Sequence, residues 1–152
     1  MTRIAVLGVL ALLAALSGCA TIDVPDGYVK LREPAPYSLK AVSADGRVLA
    51  LRSRPNESSQ ADLAFWSQAV EHQKVQLDGL KLLGREELRS ERGLAGTLFT
   101  FELGSGQARL LYLVALYVTP QRIHTVEAAG PAALIEEQRD TLVAALRSLR
   151  GT

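Results

Sequence analysis

The chain has 152 residues, 17 Lys and Arg against 16 Asp and Glu, 48% apolar side chains and one cysteine. That length suits one compact domain with a sizeable core. The near-zero net charge singles out neither nucleic acid nor an acidic lipid surface as partner, and one Cys excludes an intramolecular disulfide.

Met1, Thr2 and the cationic Arg3 precede the uncharged run Ile4 to Leu16, "IAVLGVLALLAAL". A membrane-spanning helix needs about 20 apolar residues, and a shorter run behind a positive start and before small residues is the pattern of a secretory signal peptide. Residues 1–18 are therefore set aside from the fold. At the end of the run, Leu16-Ser17-Gly18-Cys19 resembles the lipobox of bacterial lipoproteins. Small residues let the extended chain enter a membrane-embedded peptidase that cuts between Gly18 and Cys19. The resemblance implies that the Cys19 thiol is the nucleophile that takes a diacylglycerol as a thioether. The resemblance implies an N-acyl chain as well, and two or three chains make attachment effectively permanent where one is marginal. The alternative is an ordinary secreted protein cut at a small-x-small site such as Gly18-Cys19-Ala20, with the cysteine incidental. Without Arg3 the remaining acidic and basic groups balance at 16 each. Residues 20–27, "ATIDVPDG", contain few core-type side chains and read, with Cys19, as an acylated N-terminus and short tether.

The domain is expected over residues 28–150. Tyr28 to Glu33 and Tyr37 to Ser43 alternate apolar and polar, and Asp45-Gly46 turns the chain into "RVLALRS", a hairpin signal. After Pro55, Ser59 reads as an N-cap for an amphipathic helix over Gln60 to Leu77, with Leu63, Trp66, Val70 and Leu77 inward and Trp66 a core anchor. Leu80 to Ser90 and Gly96 to Leu103 follow as a second hairpin across "SERG". The run "QARLLYLVALYVT" is apolar on both alternate faces and needs cover on both sides. Thr119-Pro120-Gln121 turns it into Arg122 to Ala128. A last helix, Ala132 to Leu149, carries the stripe Ile135, Gln138, Leu142, Leu146 and Leu149. Strands, a helix, more strands and a helix define an α+β fold, an antiparallel β-sheet flanked by helices as an α/β/α sandwich.

In those patterns Tyr28 to Leu149 resembles the PsbP/DcrB-like superfamily of extracytoplasmic domains. The hairpin at Asp45-Gly46, "ADLAFWSQAVEHQ", "RLLYLVALYV", "QRIHTVEAAG" and "LVAALRSLR" carry the likeness. It implies a PsbP-like sandwich and a non-catalytic binding or assembly role beyond a membrane, with partners that differ between members and no shared site residues.

No catalytic signature stands out. Neither His72 nor His124 has a second His at i+3 or i+4, HExxH is absent, and no metal site is expected. Both imidazoles read as exposed or locally hydrogen-bonded, and Glu71 with His72, or Glu127 with His124, form only nominal acid–base pairs. Gly104-Ser105-Gly106 lacks the spacing of a nucleophile elbow and no Lys-Ser/Thr follows to make it a phosphate loop. The charge run "REELRSER", Arg85 to Arg92, reads as a solvated hairpin whose charges discourage edge pairing. As an interaction surface it would present Arg85, Glu87, Arg89 and Glu91. The expectation is a lipid-anchored envelope protein, not an enzyme, without cofactor beyond the lipid on Cys19. It binds or scaffolds an envelope protein partner, has no affinity for nucleic acid, and sits in the outer membrane facing the periplasm, because Ala20 rather than Asp follows the cysteine. A small-ligand or lipid carrier with an apolar space between sheet and helix is the second reading, and an enzyme built on a histidine the third.

Overall fold

A computed structural model describes residues 19–32 and 35–151. Its seven strands are β1 Tyr28–Lys30, β2 Tyr37–Ser43, β3 Val48–Pro55, β4 Lys81–Arg89, β5 Ala95–Leu103, β6 Leu110–Val118 and β7 Arg122–Pro131. They form one sheet in the order β1-β2-β3-β7-β6-β5-β4, with every neighbouring pair antiparallel. The first hairpin closes through Gly46, whose φ of 89° suits only glycine, with Ser43 Oγ donating to Asp45 Oδ1 at 2.5 Å. From β3 the chain crosses one face as helix α1, Leu63–His72, and reaches β4 at the far edge. The strands β4 to β7 then return as a meander until β7 pairs with β3 along Val48 to Pro55. Helices α2, Ala132–Glu137, and α3, Arg139–Arg147, cover the opposite face.

The two-faced apolar pattern of β6 has the cover it requires. Leu111, Leu113, Ala115 and Tyr117 face α3 together with Leu49, Leu51, Val126, Ile135, Leu142 and Leu146. Val114 and Leu116 face α1 with Phe99, Phe101 and Ile123, beside Leu63, Trp66 and Val70. Each such side chain contributes about 1.5–3 kcal/mol when fully buried. Packing therefore holds both layers to the sheet.

Several local expectations are revised. The first strand ends at Lys30, and Leu31 and Arg32 are exposed. Asp62, not Ser59, caps α1: its extended backbone lets Oδ1 accept from Phe65 N–H at 2.9 Å. The last turn of that helix is wound as a π-turn, Gln73–Leu77. Five residues per hydrogen-bonded turn bring Val75 against the sheet, five after Val70, and rotate Leu77 into solvent at 73% exposure. The final helix breaks at Gln138, whose φ of −108° and ψ of 18° leave the α region, while its side-chain oxygen accepts from the Arg47 guanidinium. Ile135, Leu142, Leu146 and Leu149 are buried nonetheless, so the stripe survives the break.

Residues 20–24 are not a tether. Ala20 and Ile22 are buried in the α3-side core and Val24 packs against it. Thr21 exchanges both backbone hydrogen bonds with Arg150 at 2.9 Å, Ser148 Oγ accepts from Asp23 N–H, and Asp23 pairs with the Arg150 guanidinium at 2.6 Å. Three apolar side chains on an otherwise polar stretch were enough to seat it, because the channel beside α3 accepts alternate residues of an extended chain.

Candidate interaction surface

Helix α1 covers the middle of its face and leaves a groove on either side. Toward the β4 edge lies an open cleft of about 800 Å³ lined by Leu63, Ala64, Ser67, Arg85, Glu87 and Arg89, among others. At its floor the hydroxyls of Ser67 and Thr97 share a buried 2.9 Å hydrogen bond that fixes α1 over β5. Period-two alternation places Arg85, Glu87 and Arg89 on this face, while Leu88 between them turns to the other core. The Arg85 guanidinium lies 5.6 Å from the Phe99 ring centroid and 3.3 Å from Glu71, an exposed pair of small energetic weight. Arg89 donates to the Gly93 carbonyl at 3.0 Å. Three of the four residues expected at an interaction surface thus share one groove. Glu91 does not, because β4 ends at Arg89 and Glu91 sits in the turn, its N–H donating to Arg147 O.

The opposite flank carries a feature that the sequence reading passed over. Arg54, Pro55, Glu57, Gln60, Phe65 and Trp66 surround an open cleft of about 630 Å³. Trp66 is half-buried, one side in the α1 core and the other under the Arg54 guanidinium, 4.6 Å from the ring centroid. Its Nε1 donates to Asn56 Oδ1 at 3.2 Å. Asn56 is itself buried and spends its Nδ2 protons on the carbonyls of Ala61 and Thr119. Phe65 stands edge-on to Trp66 at 5.2 Å and is 56% exposed. Trp66 is therefore core anchor and cleft wall at once. Adjacent aromatics on a helix point about 100° apart, so Phe65-Trp66 already implied that one of the pair would not be buried.

One of the two nominal acid–base pairs, His124 with Glu127, is taken apart, whereas Glu71 and His72 line one small cleft with Arg85. Residues 124 and 127 of β7 are an odd number apart and lie on opposite sheet faces. Glu127 is buried on the α1 side, 2.5 Å from Arg52, with Tyr112 OH 3.5 Å away. Burial and that carboxylate push the Tyr112 hydroxyl up to about 12. His124 is 1% exposed on the α3 side, its Nδ1 2.6 Å from Ser53 Oγ and its Nε2 without a partner. Burial first, and Arg122 second, pull its pKa below the usual 6.5. Glu71 pairs with Arg85, and its neighbour His72 is exposed. Among the described residues no three His, Cys, Asp or Glu side chains come together as a metal site.

Gly18 and the preceding signal lie outside the described residues. Cys19 is exposed, with a free thiol, directly before buried Ala20. No described helix is long and apolar enough to cross a membrane.

No protein-family model matches the chain, and no curated relative does. Its likeness is to solved structures. A solution structure of cyanobacterial PsbP, CyanoP, from Synechocystis sp. PCC 6803 superposes with a TM-score of 0.64 at 9% identity, covering 87% of this chain and 86% of that one. LpqN of Mycobacterium tuberculosis, described as involved in cell envelope biogenesis, matches with a TM-score of 0.61 at 13% identity over 85% and 79% of the two chains. A Bacteroides thetaiotaomicron protein matches at 0.56 and 7% identity, with 88% of this chain lying on 45% of that one. The architecture is the PsbP-like α+β fold.

Proposed function

We propose that this chain is a non-catalytic, lipid-anchored protein of the bacterial envelope whose PsbP-like domain binds or scaffolds another envelope component. In this reading the precursor is cut between Gly18 and Cys19, and Cys19 carries the diacylglyceryl and N-acyl groups. The observation that carries the binding role is the character of the spaces around α1: the two large clefts beside it open at the surface, and the smaller space of about 280 Å³ between this helix and the sheet is lined by the charged Arg52, Lys74 and Glu127 beside Val70 and Val114. A carrier needs an apolar space between sheet and helix, so the surface reading is preferred. The envelope description of LpqN is compatible with it. Ala20 after the cysteine favours the outer membrane, facing the periplasm.

Three measurements test this. Mass spectrometry of the mature N-terminus should find acylated Cys19, and Cys19→Ala should leave the precursor uncleaved or yield an unlipidated product. In-cell crosslinking and capture from membranes should recover a partner that Cys19→Ser loses, and the recovered contacts should map beside α1. An unmodified Cys19 in the wild type contradicts the anchor. Sorting is read by membrane fractionation of Ala20→Asp, which should move the protein inward. Because Ala20 is buried, that variant needs a parallel check of its thermal stability.

A further inference from the structure

The junction between Cys19 and the folded body has no slack. Buried Ala20 and Ile22 and the paired hydrogen bonds of Thr21 with Arg150 begin immediately after the cysteine. Two extended residues span about 7 Å, so Thr21 follows the sulfur-bearing residue at roughly that distance, with Arg150 paired directly across from it. The headgroup layer on each side of a bilayer is of similar depth, since a hydrocarbon core of about 30 Å becomes 40–45 Å with both layers included. A lipid on Cys19 would thus bring this end of the domain into contact with phospholipid headgroups.

Hydrogen bonds define which groups share that end. Glu91 N–H donates to Arg147 O at 2.8 Å, placing the β4–β5 turn beside the last turn of α3. Gly96 pairs with Tyr117, so the β6–β7 turn at Thr119–Gln121 projects the same way. Asn56 bonds both Thr119 O and Ala61 O, which adds the first turn of α1 with Phe65 and Trp66. Arg92, Arg147 and Arg150 gather around the end of α3: Arg147 Nε donates to Arg89 O at 2.8 Å, and Arg92 is exposed in the turn. Glu91 and Asp23 are the acids among them, Asp23 engaged by Arg150. Planar guanidinium groups suit phosphate oxygens. A half-exposed tryptophan beside an exposed phenylalanine suits the layer where apolar and wet surfaces meet.

We propose that this end, from Arg92 and Arg150 across to Phe65 and Trp66, is the face apposed to the bilayer, and that it contacts phospholipid headgroups in a fixed orientation. The proposal rests on acylation of Cys19. It leaves the Ala44–Gly46 turn and Val29 at the far end, since Tyr28 pairs with Ser43 at the opposite limit of the sheet.

Trp66 is the only tryptophan and reports directly on the proposal. The acylated chain, purified from membranes, is reconstituted into phosphatidylethanolamine–phosphatidylglycerol vesicles containing a phospholipid with a nitroxide on its headgroup. Trp66 emission should be strongly quenched, and the variant Trp66→Phe with Val29→Trp should not be. Deuterium exchange of the wild type needs no substitution. Transfer from detergent to vesicles should protect residues 90–93 and 119–121 and leave residues 44–46 unchanged. Acylated protein whose Trp66 is unquenched, or whose far turn is protected equally, overturns the orientation alone. An unmodified Cys19 overturns the anchor and the orientation with it.

Discussion

Folding favours the neutral form of His124. Its imidazole is 1% exposed, and burial followed by the nearby Arg122 lowers its pKa from 6.5. The unfolded chain therefore binds the proton more readily than the folded one, and stability rises with pH across the interval between the two values. That contribution is complete above the unfolded value and is lost as pH falls from 6.5 toward the folded one. Asp23, Asp45 and Glu102, hydrogen-bonded by Arg150, Arg47 and Arg109, are held below the ordinary carboxylate range, so their loss comes at more acid pH. Thermal melts should show a decline on acidification below 6.5 that His124→Leu flattens; an unchanged slope in that variant would assign the decline elsewhere. Gly96 sets a steric limit of a different kind. A Cβ there would lie 2.6 Å from the Tyr117 ring and 2.7 Å from Leu116 O, inside a packed ladder. Gly96→Ala should cost about 1–3 kcal/mol in urea unfolding.

At the level of elements, α1 depends on its first turn and β4 on its charges. Asp62 Oδ1 satisfies Phe65 N–H, one of the free donors at the helix start, and Asp62→Ala should destabilise the protein by about 1 kcal/mol in chemical denaturation. Because that same turn presents Phe65 and Trp66, the loss should also raise the exposure of Trp66 to a soluble quencher. The strand β4 is an edge, with a row of backbone groups open to another sheet. Arg85, Glu87 and Arg89 stand along its α1 face, and the opposite edge is the three-residue β1. Replacing Arg85 and Glu87 together by valine should convert a wild type of constant mass into a species whose light-scattering mass rises with concentration. An equal mass for both proteins would show that these charges do not guard the edge.

For the whole molecule, the first residues after Cys19 are structural members of the fold. Ile22 is 2% exposed among the residues that join α3 to the sheet. Ile22→Ala should cost about 2–5 kcal/mol, the range of a core truncation, whereas a free tether would lose nothing measurable. Urea unfolding of the variant separates the two outcomes. The bridge from Thr21 to Arg150 also ties the start of the folded body to its end, so a loss at either strand of that bridge should be felt by the other.

How much of this was legible depended on the range of the interactions. The glycine turns, the strands β2 to β7 and the stripe of the last helix follow from local rules: period, β-branched and aromatic content, and turn chemistry act between neighbours along the chain. A strand as apolar on both sides as β6 also required two covering layers, so the sandwich was implied by composition at one place. The sequence likewise placed Arg85, Glu87 and Arg89 on one side of a strand, because alternation is a backbone property. Tertiary structure decided what lies across from them, the small residues of α1 that turn a charged edge into a groove. It parted His124 from Glu127 by sheet parity, buried one beside Ser53 and the other beside Arg52, and rotated Leu77 outward through a π-turn. It also drew residues 20–24 into the core. Local propensity for that stretch is weak, and only the core formed by the sheet with α3 and the residues that follow it, more than a hundred positions away, supplies the burial and hydrogen bonds that order it.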